Sequence, residues 1–473
     1  MKQKRWLDPL PLSLAVTVVG LLVLGPPAMA QTVIHTVGPC GDYDVIQQAI
    51  DAAAVGSDTE IRVQQGTTYL ENLVIPKSFT SGSLGLVGGW DCDFQVADDD
   101  AGATTIDGDS LGPVVAIRLG GGMFHLQGFT LTHGEAERGA GVQVVPASDA
   151  EVFLESLRIV DNTAVSAGTA SGGGVSAELD GNERLELYDL YIEGNRAIST
   201  GNAAVFGGGL SITATDNAGF VVDDCTVEDN SIESVGGNLY GGGIDVNALH
   251  GSQGELSDIQ VSRNRVSGSL VIATGVHLKT SQTSILETGR LGIDRNSTLS
   301  GGNGPQVRVS ALDHSLSRLH DSGIVGGDSR GIRAFALDAA TLHLTNLTVA
   351  DNADVGVDLV RHPAGVLTLY NTIAFGNSPD LSVLAAVDVG FNLIGVDPLF
   401  VDAGNLDYHV LPGSPAVNAG TNLPPGGLGS TDCEGKPRIV GGVVDIGMFE
   451  GLASVFSDGF EGGDTSTWSN TQP

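Results

Sequence analysis

The chain has 473 residues, with 22 basic and 56 acidic side chains and a formal net charge of −34 at pH 7. A surface this acidic repels nucleic acid phosphates and anionic membranes, so neither is expected as a partner, and it disfavours acidic polysaccharides unless a cation bridges them. Glycine accounts for 68 residues without a collagen period, and aromatic residues for 5%. This composition predicts many tight turns and an aliphatic interior.

The first 30 residues are predicted to be a secretory signal and not part of the fold. Three basic residues precede an apolar run over 12–24 and a small-residue site that ends at Ala30, which predicts cleavage between Ala30 and Gln31. The run is too short to span a membrane, and no second run of spanning length follows. We therefore expect an exported chain with no transmembrane segment after cleavage.

Residues 31–110 are predicted to form an N-terminal cap and the first coils of a stacked fold. Within them, residues 44–53 have the spacing of a short amphipathic helix, with Ile46 and Ile50 on its apolar face. Asp44 is expected to cap this helix, with Gln47 at the reciprocal position of a capping box. Such a helix would close the N-terminal end of the stack.

The four cysteines fall into different settings. Cys40 and Cys92 lie in the N-terminal region and either bridge in an oxidising compartment or stay reduced. Cys225 lies beside Val222 and Val227, at an inward position of an internal repeat, and is expected to be a small buried hydrophobe. Cys433 lies far away, near the end, and is expected to be unpaired.

Residues 111–380 carry an internal repeat marked by seven asparagines. Most of them follow two pairs of apolar residues. The first pair lies ten and eight residues before the asparagine, and the second pair lies five and three residues before it. Before Asn195 the four residues are Leu185, Leu187, Leu190 and Ile192. The period of two predicts strands, and self-similarity at a fixed spacing predicts stacked repeats. The asparagines are Asn162, Asn195, Asn230, Asn264, Asn296, Asn352 and Asn377.

Each repeat is expected to turn at two kinds of position. Between the two apolar pairs stands a residue that favours turns, such as Asp189 or Asn346. The repeat asparagine itself fits a turn that needs a positive φ, and stacked asparagine side chains can bond to one another along the stack. A glycine cluster opens a third strand in four copies, as at 172–174.

Three short strands per coil predict an all-β fold, a right-handed parallel β-helix, because parallel crossovers are almost always right-handed. The first five asparagines are 32 to 35 residues apart, and the next interval is 56. That interval is expected to contain a degenerate coil around Leu319 and Ile324. The longer repeats are expected to carry loops, such as 197–206, that project from one corner.

The two ends of the chain resemble known secreted proteins. The run 43–53, with 61–63 and 71–73, resembles the start of bacterial β-helix proteins of the pectin-lyase-like superfamily. Near the other end, four segments resemble the C-terminal region of the choice-of-anchor Q proteins: 397–400, 407–409, 412–420 and 445–450. The resemblance implies an exported protein delivered to the cell surface or medium, and it implies no known reaction.

Residues 381–453 are accordingly predicted to hold the C-terminal coils and cap, and 454–473 an acidic tail. The tail resembles a short segment found on many exported Gram-negative proteins, so a sorting role and a disordered terminus are both open. The expected location is secreted, extracellular or at the cell surface of a Gram-negative bacterium.

Two columns of acids are candidate sites. Glu193 and Glu228 lie two residues before their asparagines and are expected to stack about 5 Å apart, the carboxylate separation of retaining glycosidases, with Arg158 nearby. Any two acids in one column reach that spacing, so the structural interpretation is preferred. A second column at the bends could hold Ca²⁺, although turn capping is the preferred interpretation. Its members are Asp189, Asp224 and Asp258.

The leading functional hypothesis is a non-catalytic, exported or surface-attached protein for adhesion or glycan contact, and we expect a monomer. One alternative is a polysaccharide lyase or glycoside hydrolase acting on extracellular glycans, dependent on Ca²⁺ if the substrate is acidic. Another is a passive envelope component. The signatures expected of pectate lyases and polygalacturonases are missing from the sequence, and fold alone does not supply function.

Overall fold

The structure is a computed structural model that describes residues 32–98, 101–299 and 302–451. It confirms the parallel β-helix: within these ranges, every pairing between two named strands is parallel except one. The exception is a hairpin of Phe400–Asp402 with Asp407–Val410, whose strands are joined by a short 3₁₀ turn, Ala403–Asn405. The predicted signal (1–30) and acidic tail (454–473) lie outside the described residues. No helix in the described part of the chain is long and apolar enough to cross a membrane.

The largest sheet, sheet A, contains the apolar pairs seen in the sequence. Its 19 strands are Val33–Val37, Asp58–Gln64, Thr68–Leu70, Ser83–Trp90, Thr105–Asp107, Met123–Thr132, Glu151–Val160, Arg184–Glu193, Gly219–Glu228, Gln253–Ser262, Ile285–Asp294, Leu316–His320, Gly323–Val325, Thr341–Thr345, Thr348–Ala350, Val366–Tyr370, Ile373–Phe375, Asp388–Gly390 and Leu393–Ile394.

Sheet B faces sheet A across the core and begins, as predicted, directly after the glycine clusters. Its 11 strands are Leu73–Ile75, Val115–Ile117, Val142–Val144, Val175–Leu179, Leu210–Ala214, Ile244–Ala248, Val276–Thr280, Val307–Ala311, Ile332–Ala336, Val357–Arg361 and Leu381–Leu384. One apolar cluster of aliphatic residues from both sheets runs through the coils, from Val37 to Ala374.

The bend between the apolar pairs is confirmed. Asp189, Asp224 and Asp258 have φ of 54°, 52° and 54°, a left-handed conformation that Asp and Asn tolerate better than most residues. In the middle coils each apolar quartet forms one ten-residue strand through this bend, whereas in later coils it splits into two strands.

The repeat asparagines form a buried ladder, but their predicted backbone conformation was wrong. Asn195 Nδ2 donates to Asn230 Oδ1 at 3.0 Å, and the backbone N–H of Asn195 donates to the same oxygen at 2.9 Å. No repeat asparagine has a positive φ; the residue before it does, as at Asp229 (53°). The amide is therefore selected because it bonds in both directions along the stack.

The degenerate coil is confirmed at Leu316–His320 and Gly323–Val325. At its corner Gly327 replaces the asparagine, and the amide of Gln306 fills the space from the side of sheet B. Gln306 Oε1 accepts from Asn296 Nδ2 at 3.3 Å, and its Nε2 donates to Asn352 Oδ1 at 2.7 Å. The ladder thus continues through a coil that lacks its own asparagine.

The predicted loop 197–206 was wrong, because its two ends are strands of further sheets. Sheet C contains Glu135–Ala136, Thr163–Ser166, Arg196–Ser199, Ser231–Ser234, Arg265–Ser267 and Ser297–Thr298; sheet D contains Ala170–Ser171, Val205–Phe206, Asn238–Tyr240 and Leu270–Val271. A small separate core that includes Ala197, Val205 and Leu239 packs between them. The extra residues therefore build an ordered shoulder beside sheet B.

The N-terminal helix is confirmed at Ile46–Ala52, but its predicted cap was wrong. Asp44 makes no cap; the backbone N–H groups of Ile46 and Gln47 donate to the two carboxylate oxygens of Glu71, at 2.8 and 3.0 Å. Nearby, Cys40 and Cys92 form a disulfide with their Cα atoms 5.4 Å apart. Cys225 is buried with a free thiol, as expected, and burial raises its pKa to about 12.

The C-terminal region supports the side of sheet A more than it covers the last coil. Arg438, 1% exposed, donates to the carbonyl of Met448 at 3.0 Å and lies 3.2 Å from the carboxylate of Asp321, in the bend between two strands of sheet A. In contrast, Leu384 and Phe391 of the last coil are 65% and 56% exposed. Within the described residues, the expected C-terminal cap therefore acts as a lateral brace.

Candidate functional site

The outward face of sheet B carries two columns of polar side chains. Strand register places Asp245 opposite His277 and His277 opposite Arg308 on successive coils, about 4.8 Å apart. The second column contains Lys279 and Ser310, two residues further along the same strands. Because alternate residues point to opposite faces, the intervening valines and leucines enter the core and these polar groups face outward.

These columns form the floor of a groove of about 540 Å³. The shoulder of sheets C and D supplies one wall, with Phe206, Tyr240 and Ile272. Leu312 and Leu337, from the turns that follow sheet B, line the other side. A concave site with apolar walls and a few convergent polar groups is the usual form of a ligand site.

An aromatic pair stands on the shoulder wall. Phe206 and Tyr240 occupy matching positions in sheet D, and their rings stack with centroids 4.8 Å apart and planes 11° apart. The ring of His277 lies 5.0 Å from that of Tyr240 at 54°. The wall therefore presents a flat aromatic surface directly above a histidine.

His277 is held by a buried carboxylate. Its Nδ1 lies 2.6 Å from Asp245 Oδ1, and Asn247 Nδ2 donates to the other oxygen at 2.7 Å. Burial raises the pKa of Asp245, and the hydrogen bonds from His277 and Asn247 oppose that rise. With the carboxylate as acceptor, the proton of the neutral form of the ring would be on Nδ1, and Nε2 of that form would keep a lone pair.

The groove contains two cations, Lys279 and Arg308. Neither has a carboxylate within ion-pair distance in the part of the chain that the structure describes. The guanidinium of Arg308 instead stacks over Phe335 at 4.3 Å. Burial, and then the charge of Arg333, lower the pKa of Arg308. In a chain with a net charge of −34, this places two cations that lack an ion-pair contact among the described residues at one spot.

The predicted carboxylate pair lies on the outer face of sheet A, away from the groove. Glu193 and Glu228 are in register as expected, and Arg158 lies over the ring of Tyr191 at 5.1 Å. Glu228 is engaged by Arg263 at 2.6 Å and by the hydroxyl of Tyr191. Burial would raise the pKa of Glu228, but the bonds from Tyr191 and Arg263 lower it overall. An acid held in its ionised form is poorly suited to donate a proton.

The predicted calcium column is not gathered into a site. Ser156 donates to Asp189 at 2.8 Å, and Arg290 binds Asp258 through two bonds of 2.7 and 2.6 Å. Among the described residues, the group of at least three possible metal ligands whose ligand atoms all lie within 4.8 Å of one another is a different set. Its members are Glu193, Glu228 and Asp229.

The groove residues were missed because the sequence reasoning followed the asparagine corner and not the glycine clusters. Phe206 and Tyr240 each directly precede a glycine cluster. Counting two residues from Gly243, the last glycine of a cluster, and two from the single Gly275 would have placed Asp245 and His277 in one column. That signal was present but lay in the less regular half of each repeat.

Comparison with known proteins adds little to this geometry. No family model matches the sequence, and no curated protein matches it significantly. A crystal structure of pectate lyase Pel9A is similar in fold, with a TM-score of 0.48 and 13% identity over 89% of this chain and 96% of that one. The likeness concerns fold alone. The parallel pairing of the stacked strands shows by itself that the chain is a parallel β-helix.

Proposed function

We propose that this protein is exported and binds an extracellular glycan in the groove between sheet B and the shoulder. The observation that carries the proposal is the stacked pair Phe206 and Tyr240, with centroids 4.8 Å apart, above the polar floor. Flat aromatic faces pack well against the apolar faces of sugar rings, while polar groups beneath fix their orientation.

The length of the groove favours a chain over a single sugar. The groove extends across six coils, from the coil of Ser176 to that of Leu337, which at the coil spacing is about 24 Å. An oligosaccharide laid along the stack would meet a repeating floor whose side chains change from coil to coil. Specificity would then come from the few positions where charge and aromatic groups coincide.

Two features support the extracytoplasmic part of the proposal. The disulfide between Cys40 and Cys92 suits an oxidising compartment. The choice-of-anchor Q resemblance favours attachment to the cell surface. In that region Tyr408 is buried and its hydroxyl donates to Asp351 at 3.0 Å, so motif residues there contribute to folding.

Binding of the mature chain to an array of neutral and uronate-containing glycans tests the proposal. Tyr240→Ala should weaken binding roughly tenfold, about 1.4 kcal/mol, through loss of the stacking surface. Tyr188→Ala is the matched control, because Tyr188 is 48% exposed on the outer face of sheet A. Absence of any glycan binding, or equal effects of the two changes, would contradict the proposal.

A further inference from the structure

We propose that the C-terminal end of the coil stack is an interface, and that a second copy of this chain covers it by docking end to end. The inference is independent of the glycan proposal and differs from the monomer expected from the sequence. It is carried by three features of the last coil: exposed core side chains, strand edges without a partner in the described part of the chain, and a near absence of charge.

The apolar core is open to solvent at the last coil. Val383 is the register neighbour of Leu359, and Val389 is that of Leu369. Leu359 and Leu369 are fully buried in the main core, whereas Val383 and Val389 are 44% and 47% exposed. The two valines hold inward positions, and within the described ranges no further coil covers them. Because each coil of a solenoid buries its apolar face on its neighbour, this end is incomplete as a free surface.

The opposite end of the stack is closed, so head-to-tail stacking is not favoured. The helix Ile46–Ala52 lies against the first strands, and its three inward residues are at most 3% exposed. The C-terminal region does not close the last coil in the same way. It covers Leu393 from the side, with Ala416 and Ile446, whereas the next residue, Ile394, points to the main core. The end face of the last coil therefore calls for a partner with a similar open end.

Each strand of the last coil has one free edge. Leu381–Leu384 of sheet B, and Asp388–Gly390 and Leu393–Ile394 of sheet A, pair with the preceding coil and with no other strand among the described residues. Natural proteins blunt such edges with lysine, proline, bulges or inward charges. Residues 381–394 contain no lysine, arginine or proline, and Asp388 is their single charged residue. An edge in this state is a template for a further strand.

A second copy fits this end because both sheets need a partner at the same time. A two-fold axis perpendicular to the stack places the sheet B edge of one copy against that of the other, and does the same for sheet A, in antiparallel pairs. The exposed core residues of the two copies then meet. The net charge of −34 opposes self-association over most of the surface, but a coil with one charged side chain brings little repulsion to the contact.

The size of the end sets the strength of the expected contact. Two sheets about 10 Å apart, with strands of about 20 Å and side chains on their outer faces, give a cross-section of ~500 Å² per copy. The total of ~1,000 Å² is at the lower limit for a specific interface. We therefore expect a reversible dimer with a dissociation constant on the order of 10 μM.

Sedimentation of the full mature chain over a range of about 1 to 200 μM tests for this dimer. The mass should rise with concentration to twice that of the monomer, and X-ray scattering should show a particle of doubled length and unchanged cross-section. Leu384→Lys with Val389→Lys should weaken dimerisation at least ~10-fold, because charge on a strand edge opposes pairing.

Leu111→Lys with Val235→Lys is the matched control. Both side chains are 79% exposed and lie outside the last coil, and the change in net charge is the same. This pair should alter the dissociation constant by less than about twofold. Thermal unfolding should show both double variants folded. Equal weakening by the two pairs would overturn the inference, because it would locate the effect in overall charge and not at the end of the stack.

Amide hydrogen exchange of residues 381–394 identifies what covers the end. Exchange that slows only at concentrations where the dimer forms supports the second copy. Exchange that is equally slow at all concentrations would assign the end to another segment of the same chain, and equally fast exchange would leave it open; either result contradicts the inference. A monomer at the highest concentration, or a dimer that is wider and not longer, contradicts it as well.

Discussion

Gln306 Nε2 donates to Asn352 Oδ1 at 2.7 Å, although the two residues lie 46 positions apart and in different parts of their coils. Through this bond a side chain from the start of one sheet B strand replaces the missing asparagine of the ladder. Register in this fold is thus maintained by amide stacking even where the sequence repeat fails.

Replacing Gln306 by Ala should therefore destabilise the protein. It would leave the carbonyl of Val325, which accepts from Gln306 Nε2 at 2.9 Å, without a donor in a buried corner, at a cost of about 1–3 kcal/mol. Urea unfolding of the variant measures this. Gln253→Ala, at an exposed position, should change the midpoint little; a similar shift in both variants would contradict the bridging role.

Glu71→Ala should destabilise the N-terminal helix, because its carboxylate accepts from the first two helical N–H groups. Loss of a cap costs about 0.5–2 kcal/mol. Asp44→Ala should have almost no effect, because Asp44 makes no cap. Thermal unfolding of the two variants tests which of the two residues caps the helix. A larger loss of stability for Asp44→Ala than for Glu71→Ala would restore the assignment made from sequence.

His320 should make stability depend on pH in the alkaline range. Burial alone would lower its pKa, but hydrogen bonds with Asp321 and Glu287 raise it to about 9. Because the folded pKa lies above the unfolded value near 6.5, the stabilisation is fully present below about pH 6.5 and is lost as the pH rises through about 9.

Unfolding free energies measured from pH 6 to 10 test this. The wild type should lose stability over the window from about 6.5 to 9, and His320→Gln should show a flatter profile from a lower starting value. His133→Gln is the control, since that side chain is 57% exposed. A wild-type profile that is flat across the window would contradict the assignment.

A separate prediction concerns calcium binding at a cluster of three acids, Glu193, Glu228 and Asp229. Their oxygens lie within 4.8 Å of one another, but Arg263 neutralises Glu228 and Asp229 at 2.6 and 2.8 Å. Calcium should therefore not bind there with useful affinity in the wild type. Arg263→Met should allow binding by releasing two carboxylates, and calorimetric titration with Ca²⁺ should show binding in the variant alone.

The regular half of each repeat was predictable from sequence, and the irregular half was not. The quartet before Asn195 has a fixed period that strands alone satisfy, so the coils and the degenerate repeat at Leu319 followed from it. Details that depend on distant partners did not follow. The cap on Ile46 comes from Glu71, 25 residues away, and no local pattern signals such a bond.

The groove shows the same limit for function. His277 and Tyr240 meet only because the extra residues of the longer coils fold into sheet D beside sheet B. Their sequence signature is a variable-length insertion, which normally predicts a loop. The acids at Glu193 and Glu228 were more visible because they share a position in the regular repeat, and regularity in a solenoid marks packing more than chemistry.

The most direct test of the groove as the ligand site is calorimetric titration of a uronate oligosaccharide into charge-matched double variants. Lys279→Gln with Arg308→Gln removes two cations from the groove floor, and Arg158→Gln with Arg184→Gln removes two exposed cations from the outer face of sheet A. We predict at least a tenfold loss of affinity for the first pair and less than a twofold change for the second. Equal losses in both pairs, or a larger loss in the second, would contradict the account.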